Sequence, residues 1–327
     1  MPLLKLVPDD TNFDFLKWRK LASFMSFFLV VISIALVAVK GLNLGIDFVG
    51  GQSVRVEFTQ GMPPIEDIRK AVGEIGVGEA TIQQFGSDSA VSIRTALPDG
   101  DKASADRAGA QLVAGIKKAY PTARTGAVET VSGKVSEELL STGAISLALA
   151  MLGISIYIWI RFEWQFGVGA LGRLFHEVAL TFGFFAVTQL QFDLNSVAAL
   201  LTIVGYSLND TIVVYDRIRE NLKKYRKMDI VPLLNLSINE TLSRTVMTSV
   251  SILLALGVLL VMGPDVIFGF TAAMLFGVFV GTYSSILMST PVLVWLKVGP
   301  HSFVPRVSAA TEGGERVTRK EDDGAVV

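Results

Sequence analysis

Long apolar runs, interrupted by one stretch of mixed pattern, organise this chain. A helix needs about 20 apolar residues to cross the hydrocarbon core of a bilayer. Leu21 to Val39 and Leu139 to Ile160 contain no charge. Phe166 to Leu190 is apolar apart from Arg173, His176 and Glu177, and Leu194 to Tyr215 contains one charge, Asp210. Thr245 to Met262 and Val266 to Leu296 again contain none. The last run is longer than one straight span requires, so it is expected to tilt or to leave the hydrocarbon near Pro291. The pattern predicts six transmembrane helices. A cleaved signal peptide is the other reading of the first run. That run is long for a signal's apolar region and no A-x-A site follows it, which favours an uncleaved anchor.

Between the first two spans the period changes. Ser53 to Thr59 alternates with period two, as a half-buried strand does. Pro64 opens a helical pattern with Ile65, Ile68, Val72 and Ile75 on one face, stopped near Gly76. Thr81 to Phe85 and Val91 to Thr95 read as strands around a turn at Gly86–Ser89. Ala103 to Ala119 is a second helix, ended by Pro121, and Thr125 to Val131 a last strand. The order β-α-β-β-α-β predicts a ferredoxin-like α/β domain, with both helices on one face of a four-stranded sheet. The other face is expected to be open, fit either for an extended chain or for a partner domain.

Charge then sets the orientation. Lys17, Arg19 and Lys20 precede span 1, and Arg161 lies between spans 2 and 3. Arg217, Arg219, Lys223, Lys224, Arg226 and Lys227 follow span 4, and Lys297 and Arg306 follow span 6. The opposite turns, Gln191–Asp193 and Gly263–Asp265, carry no Lys or Arg. Basic loops stay in the cytoplasm. The expected division is a cytoplasmic N-terminus over 1–20, a first span over 21–40 and an extracytoplasmic domain over 41–138. Spans two to six follow over 139–296, with a basic cytoplasmic loop at about 216–244. The cytoplasmic tail over 297–327 is polar and of mixed charge from Val307, and is expected to be disordered.

Composition removes several function classes. The 327 residues are 51% hydrophobic and 18% charged, with a net charge of −1, which offers no basic face for nucleic acid. Cysteine is absent, so there is no disulfide, thiolate metal site or cysteine nucleophile, and two histidines are too few for a histidine-rich metal site. Gly167-Val-Gly169-Ala-Leu-Gly172 has the spacing of a dinucleotide fingerprint, but it opens a membrane span with no strand before it. Leu180 stands where a zinc-protease helix beginning at His176-Glu177 needs a second histidine. No ATP motif is found, so any work must draw on another source.

The polar residues inside the spans are the candidates for chemistry. A charge at mid-bilayer costs roughly 2.5–3.5 kcal/mol, so such residues face the protein interior and serve ion paths or structural pairs. Asp210 lies roughly 9 Å inside the cytoplasmic end of its span, with Asn209 and Thr211 beside it and Ser207 one turn earlier. A carboxylate poised between burial and a nearby cation can take up and release protons; a static ion pair is the other reading. Two cations are candidate partners: Arg244 at the cytoplasmic start of span 5, and Arg173 at a depth of roughly 10 Å in span 3. Arg173, His176 and Glu177 share one helix face, and the plainer account of them is an internal Arg173–Glu177 pair that lowers the insertion cost. Gly277-x-x-x-Gly281, followed by Thr282, Ser284 and Ser285, is a small-residue face for close helix packing, within this chain or against a partner.

Four motifs, in order, resemble the SecF family. Gly41-Leu-Asn-Leu-Gly-Ile-Asp47-Phe-Val-Gly50-Gly51 is similar to that family's signature at the exit of its first helix. Tyr157-Ile-Trp-Ile-Arg161-Phe-Glu163 is similar to the turn after its second helix. Gly205 to Asn221 is similar to its fourth-helix motif, and Glu240 to Ser249 to the entry of its fifth. The resemblance covers roughly 17–297. It implies pairing with SecD, a related six-helix subunit, and work alongside the SecYEG translocon, with YajC and YidC as further partners. It implies a bacterial inner-membrane subunit that uses the proton gradient, with no cofactor and no ATPase activity, to promote late export of unfolded preproteins. The family's proton-path Asp and Arg fall on Asp210 and Arg244. Where the family's third helix usually reads Ala-Leu-x-His-Asp, this chain has Arg173-Leu-Phe-His176-Glu177. Arg173, sharing or modulating Asp210, and Glu177 therefore join Asn209 and Thr211 as candidates. Two other readings make different predictions. A proton-coupled exporter of small apolar molecules predicts two long external domains or an internal duplication, and an assembly subunit predicts a harmless Asp210→Asn.

Overall fold

The computed structural model describes residues 7–8, 11–85, 87–98 and 102–299. In chain order the elements are α1 (Arg19–Lys40), α2 (Ile46–Val49), β1 (Gly51–Phe58), α3 (Ile65–Ile75), β2 (Ala80–Phe85), β3 (Ser87–Thr95), α4 (Lys102–Ala119) and β4 (Ala123–Val131). Then follow α5 (Gly133–Arg161), α6 (Trp164–Thr188), α7 (Leu194–Lys224), α8 (Ile230–Met262), α9 (Phe268–Leu287) and α10 (Ser289–Trp295). Among the described residues, six helices are long and apolar enough to cross a membrane, α9 and α10 together forming the sixth.

The α/β domain has the expected ferredoxin-like topology. Its antiparallel sheet runs β2-β3-β1-β4, so β1 pairs with both β3 and β4 across the two helical crossovers. Val54, Val56, Val91 and Ile93 point from the sheet onto Ile68, Val72, Leu112 and Ile116 of α3 and α4, all essentially without solvent exposure. Gly76 ends α3 in the left-handed region that favours glycine. The β2–β3 turn is tighter than expected, because β3 already starts at Ser87; Gly86 lies outside the described residues.

The second face of the sheet is not wholly open. Its inner corner docks on the exit of α1. Arg94 of β3 donates to Asn43 Oδ1 at 2.7 Å, to Gln83 Oε1 at 2.6 Å and to the Leu44 carbonyl. Asn43 in turn donates to the Gln189 carbonyl at the end of α6, at 2.8 Å. Burial lowers the Arg94 guanidinium from its ordinary pKa. The glycine motif shapes this junction. Gly50 and Gly51 take φ of 77° and 120°, and a Cβ on Gly51 would lie 2.7 Å from the Thr95 carbonyl oxygen. Between them and α1, Leu44 forms a short bridge with Phe192 in the α6–α7 turn, and Asp47 accepts from the Leu194 amide at the start of α7.

One expectation about the helices needs correcting. The segment expected as a basic loop at about 216–244 is mostly a helical hairpin. α7 runs on to Lys224 and α8 begins at Ile230. The charges lie on one side, where Arg217 pairs with Glu240 at 2.7 Å and with Glu220 at 2.8 Å. On the other side Ile218 and Leu222 pack on Leu233, Leu234 and Ile238. Two amphipathic helix ends thus bury a shared apolar seam beyond the spans. The N-terminal segment joins them, with Asn235 and Asn239 bonding the backbone of Leu16 and Phe13. The sixth span, expected to tilt or to leave the hydrocarbon near Pro291, is interrupted at Met288 between α9 and α10. Proline has no N–H for the carbonyl four residues back, so α9 stops at Leu287. From Pro300 on, the tail over 297–327, with Arg306 and His301, lies outside the described residues.

Candidate functional site

α6 is the centre of the helical part. Its apolar window is the most buried of the six spans, and α1, α7, α9 and α10 pack around it. Helices approach closely where small residues meet. Gly183 of α6 lies against Ser33 of α1, and Gly277 of α9 against Ile203 of α7. The small-residue face of α9 is therefore used within this chain. This close packing brings a group of polar side chains together where α6, α7 and α9 meet.

Arg173 is the hub, 1% exposed. Its Nε donates to Ser284 Oγ at 3.0 Å, its Nη1 to the Ser207 carbonyl at 2.7 Å and its Nη2 to the Gly281 carbonyl at 2.7 Å. One guanidinium thus joins α6 to α7 and α9. The fork geometry of arginine allows three acceptors in three directions, which a lysine could not reach. The ion pair expected between Arg173 and Glu177 is not formed. The guanidinium extends past its own helix, and each of its three nitrogens donates to one of the two neighbours.

Glu177, one turn along α6, is fully buried. Its Oε2 accepts from the Ser207 hydroxyl, while its Oε1 has no hydrogen-bond partner among the described residues. Gly281 makes room for that oxygen: a Cβ there would lie 2.5 Å from it. Asp210 is 5% exposed, one turn beyond Ser207 on α7. Among the described residues it makes no ion pair within 4.0 Å. The charges of Arg173 and Arg244 both act on it from a distance. Thr211 is buried and bonds back to the Ser207 carbonyl at 3.2 Å.

Of the residues singled out from sequence, the structure therefore gathers Arg173, Glu177, Asp210, Thr211 and Gly281. It leaves Asn209 and Arg244 exposed on the outer faces of α7 and α8. Arg244 is not in contact with Asp210, so the pairing expected between them is not made in this chain alone. Sequence reasoning missed the Ser26–Tyr283 hydroxyl contact, 2.7 Å, which links α1 to α9 beside His176. Ser26 and Ser33, seven residues apart in an uncharged span, were the available signal: they mark the buried stripe of α1. It also missed the Arg94 junction, whose signal was a charge at a position that alternation places on the sheet's second face.

The arrangement defines a multi-pass membrane protein with a small α/β domain after its first span and a charged centre enclosed by three helices. Comparison with known proteins narrows that class. Residues 111–299 match the family model for the C-terminal part of the protein export membrane proteins SecD/SecF, and 35–62 match the SecD/SecF GG motif. The chain is 44% identical to the protein translocase subunit SecF of Cereibacter sphaeroides, over 90% of this chain and 93% of that one. It is 45% identical to SecF of Rhodobacter capsulatus, over 90% and 91%, and 40% identical to that of Rickettsia akari, over 89% and 94%. The crystal structure of SecDF, a translocon-associated membrane protein from Thermus thermophilus, superposes with a TM-score of 0.80 at 34% identity, over 88% of this chain. SecDF in a super-membrane-facing form gives 0.61 at 33% identity, over the same share. In both, this chain spans 39% of the longer one. The chain belongs to the SecF family of protein translocase subunits.

Proposed function

We propose that the chain is one half of a proton-driven export unit, the other half being SecD, and that Asp210 is a proton-binding group of its cycle. The observation that carries the reading is a carboxyl 5% exposed inside a membrane span with no direct cation partner among the described residues. A buried charge held only for structure is normally paired and hydrogen-bonded. Asp210 instead feels two cations at a distance, so a proton can change its charge without first breaking a contact.

In this mechanism a proton entering from outside neutralises Asp210 and removes its attraction to Arg173 and Arg244. The helices repack, the α/β domain moves relative to the membrane, and release of the proton to the cytoplasm resets the unit. One charge crossing 100 mV supplies about 2.3 kcal/mol, enough to bias a two-state element. The preprotein would be held in one state and freed in the other, beside the SecYEG translocon with YajC and YidC. The unit would sit in the inner membrane with both termini in the cytoplasm. Protons are the only coupling ion required, and no ATP is used.

The need for a second half is supported by Asn209 and Arg244, polar residues left on outer faces of spans. A neighbouring six-helix half would cover them and could bring Arg244 towards Asp210. The test is export of a secreted reporter in cells whose only copy carries Asp210→Asn, with assembly with SecD checked in parallel. Export should collapse while the complex still forms. Normal export would make the chain an assembly subunit without proton chemistry.

A further inference from the structure

Among the buried titratable side chains that the mechanism above leaves unused, His176 and Glu177 stand side by side on α6. Glu177 is 0% exposed. Its Oε2 has one donor, the Ser207 hydroxyl, and its Oε1 has none. The cation one turn away, Arg173, donates from each of its nitrogens elsewhere: to Ser284, to the Ser207 carbonyl and to the Gly281 carbonyl. A carboxylate kept permanently charged at such depth would be bracketed by donors on both oxygens. This one is not. Its free oxygen lies in a space kept open by Gly281, where a Cβ would come within 2.5 Å. A carboxylic acid needs such an oxygen to carry its proton.

We propose that Glu177 is a second proton-exchanging carboxyl of this chain, set one helix across from Asp210, with Arg173 as a fixed cation serving both. The assignment rests on the proton-driven reading and deepens it. Ser207 connects the two acids, since its hydroxyl holds Glu177 and it lies one turn before Asp210 on α7. The step is a simple exchange: a proton adds to a carboxylate oxygen of Glu177 and leaves to water, with no other bond made or broken. The charged and titratable groups around Glu177 are Arg173 and His176 on its own helix and Asp210 on α7. α9 presents Gly281 and Ser284 there, and Tyr283 turns away to Ser26 of α1. Tyr215, further along α7, is occupied with the Ser289 carbonyl. Arg173 is here a positioning residue, which holds the carbonyls of α7 and α9 at the distance that leaves both carboxyls unpaired.

The test is infrared difference spectroscopy of the full chain, assembled with its partner half in lipid vesicles and titrated with acid. It reads the carbonyl stretch of protonated carboxylic acids. Subtracting Glu177→Gln from the unsubstituted protein should leave a titrating band distinct from the one that Asp210→Asn removes. Ser207→Ala should shift the Glu177 band in frequency without abolishing it, which keeps the assignment testable if Glu177→Gln assembles poorly. A subtraction that stays flat across the titration, or a Ser207→Ala spectrum superposable on the parent, would overturn the proposal. In export assays Glu177→Gln should fail and Glu177→Asp should restore most of the activity; parent-like export by Glu177→Gln removes Glu177 from the cycle. The two readings fail separately. Loss of export in Asp210→Asn with no Glu177 band leaves Asp210 as the single site. A Glu177 band with normal export in Asp210→Asn sinks the Asp210 reading instead.

Discussion

Arg173 spends all its hydrogen bonds on other helices. Its acceptors lie 34, 108 and 111 residues along the chain, and two of them are main-chain carbonyls. Replacing it with leucine strands those contacts and leaves Glu177 and Asp210 without the cation between them. Disrupting a buried charged network by removing one partner costs about 3–5 kcal/mol. Arg173→Leu should therefore lower the Tm of the detergent-solubilised chain sharply. Arg173→Lys should fall between, because a single ammonium keeps the charge but cannot reach three acceptors. Adding Glu177→Gln to Arg173→Leu should recover part of the loss, measured as coupling in a double-mutant cycle. Strict additivity would mean that the two side chains do not sense one another. The pair was legible in sequence as two charges on one helix face; the direction in which the arginine reaches was not.

At the scale of elements, the junction between the α/β domain and the spans turns on Arg94. Two contacts from one guanidinium fasten the sheet to Asn43 and Leu44, and a third joins it to Gln83 of the neighbouring strand β2. Hydrogen bonds to charged groups contribute roughly 1.5–3 kcal/mol each, so this node outweighs its size. Arg94→Ala should speed hydrogen exchange over 41–45 while the amides of β1 and β3 keep their protection. Equal acceleration in the strands would show instead that Arg94 supports the domain's own fold. Apart from the start of β3, which lies at Ser87 rather than at the expected Val91, the strands and helices of that domain were readable within a residue or two, because their apolar periods of two and about 3.6 are local properties. The helical hairpin around 224–230 was not. Its charges read as a solvated loop, and only the seam of Ile218, Leu222, Leu234 and Ile238 shows why it stays helical.

At the scale of the molecule, the distribution of basic residues predicts which end faces which compartment. The chain contains no cysteine, so single cysteines report cleanly. In intact cells a membrane-impermeant maleimide should label Glu66→Cys, exposed on α3, and should reach Lys227→Cys only after the membrane is opened. The reverse pattern would invert the topology and, with it, the direction in which protons would have to run. α5 and α8 bury little of their apolar surface inside this chain, which is what lipid or a neighbouring half would cover.

By itself the sequence determined six spans, a ferredoxin-like domain after the first, and a small set of intramembrane polar residues headed by Asp210. Each is written in local terms: run length, period and the cost of a charge in hydrocarbon. Only the tertiary structure decided that Arg173 ties α6 to α7 and α9 rather than to Glu177, and that Arg244 stands apart from Asp210. It alone showed that Glu177 keeps an unpartnered oxygen against Gly281. The physical reason is that these facts depend on which helices pack together and on main-chain carbonyls. Every residue carries such a carbonyl, and no residue type marks the one that will be used.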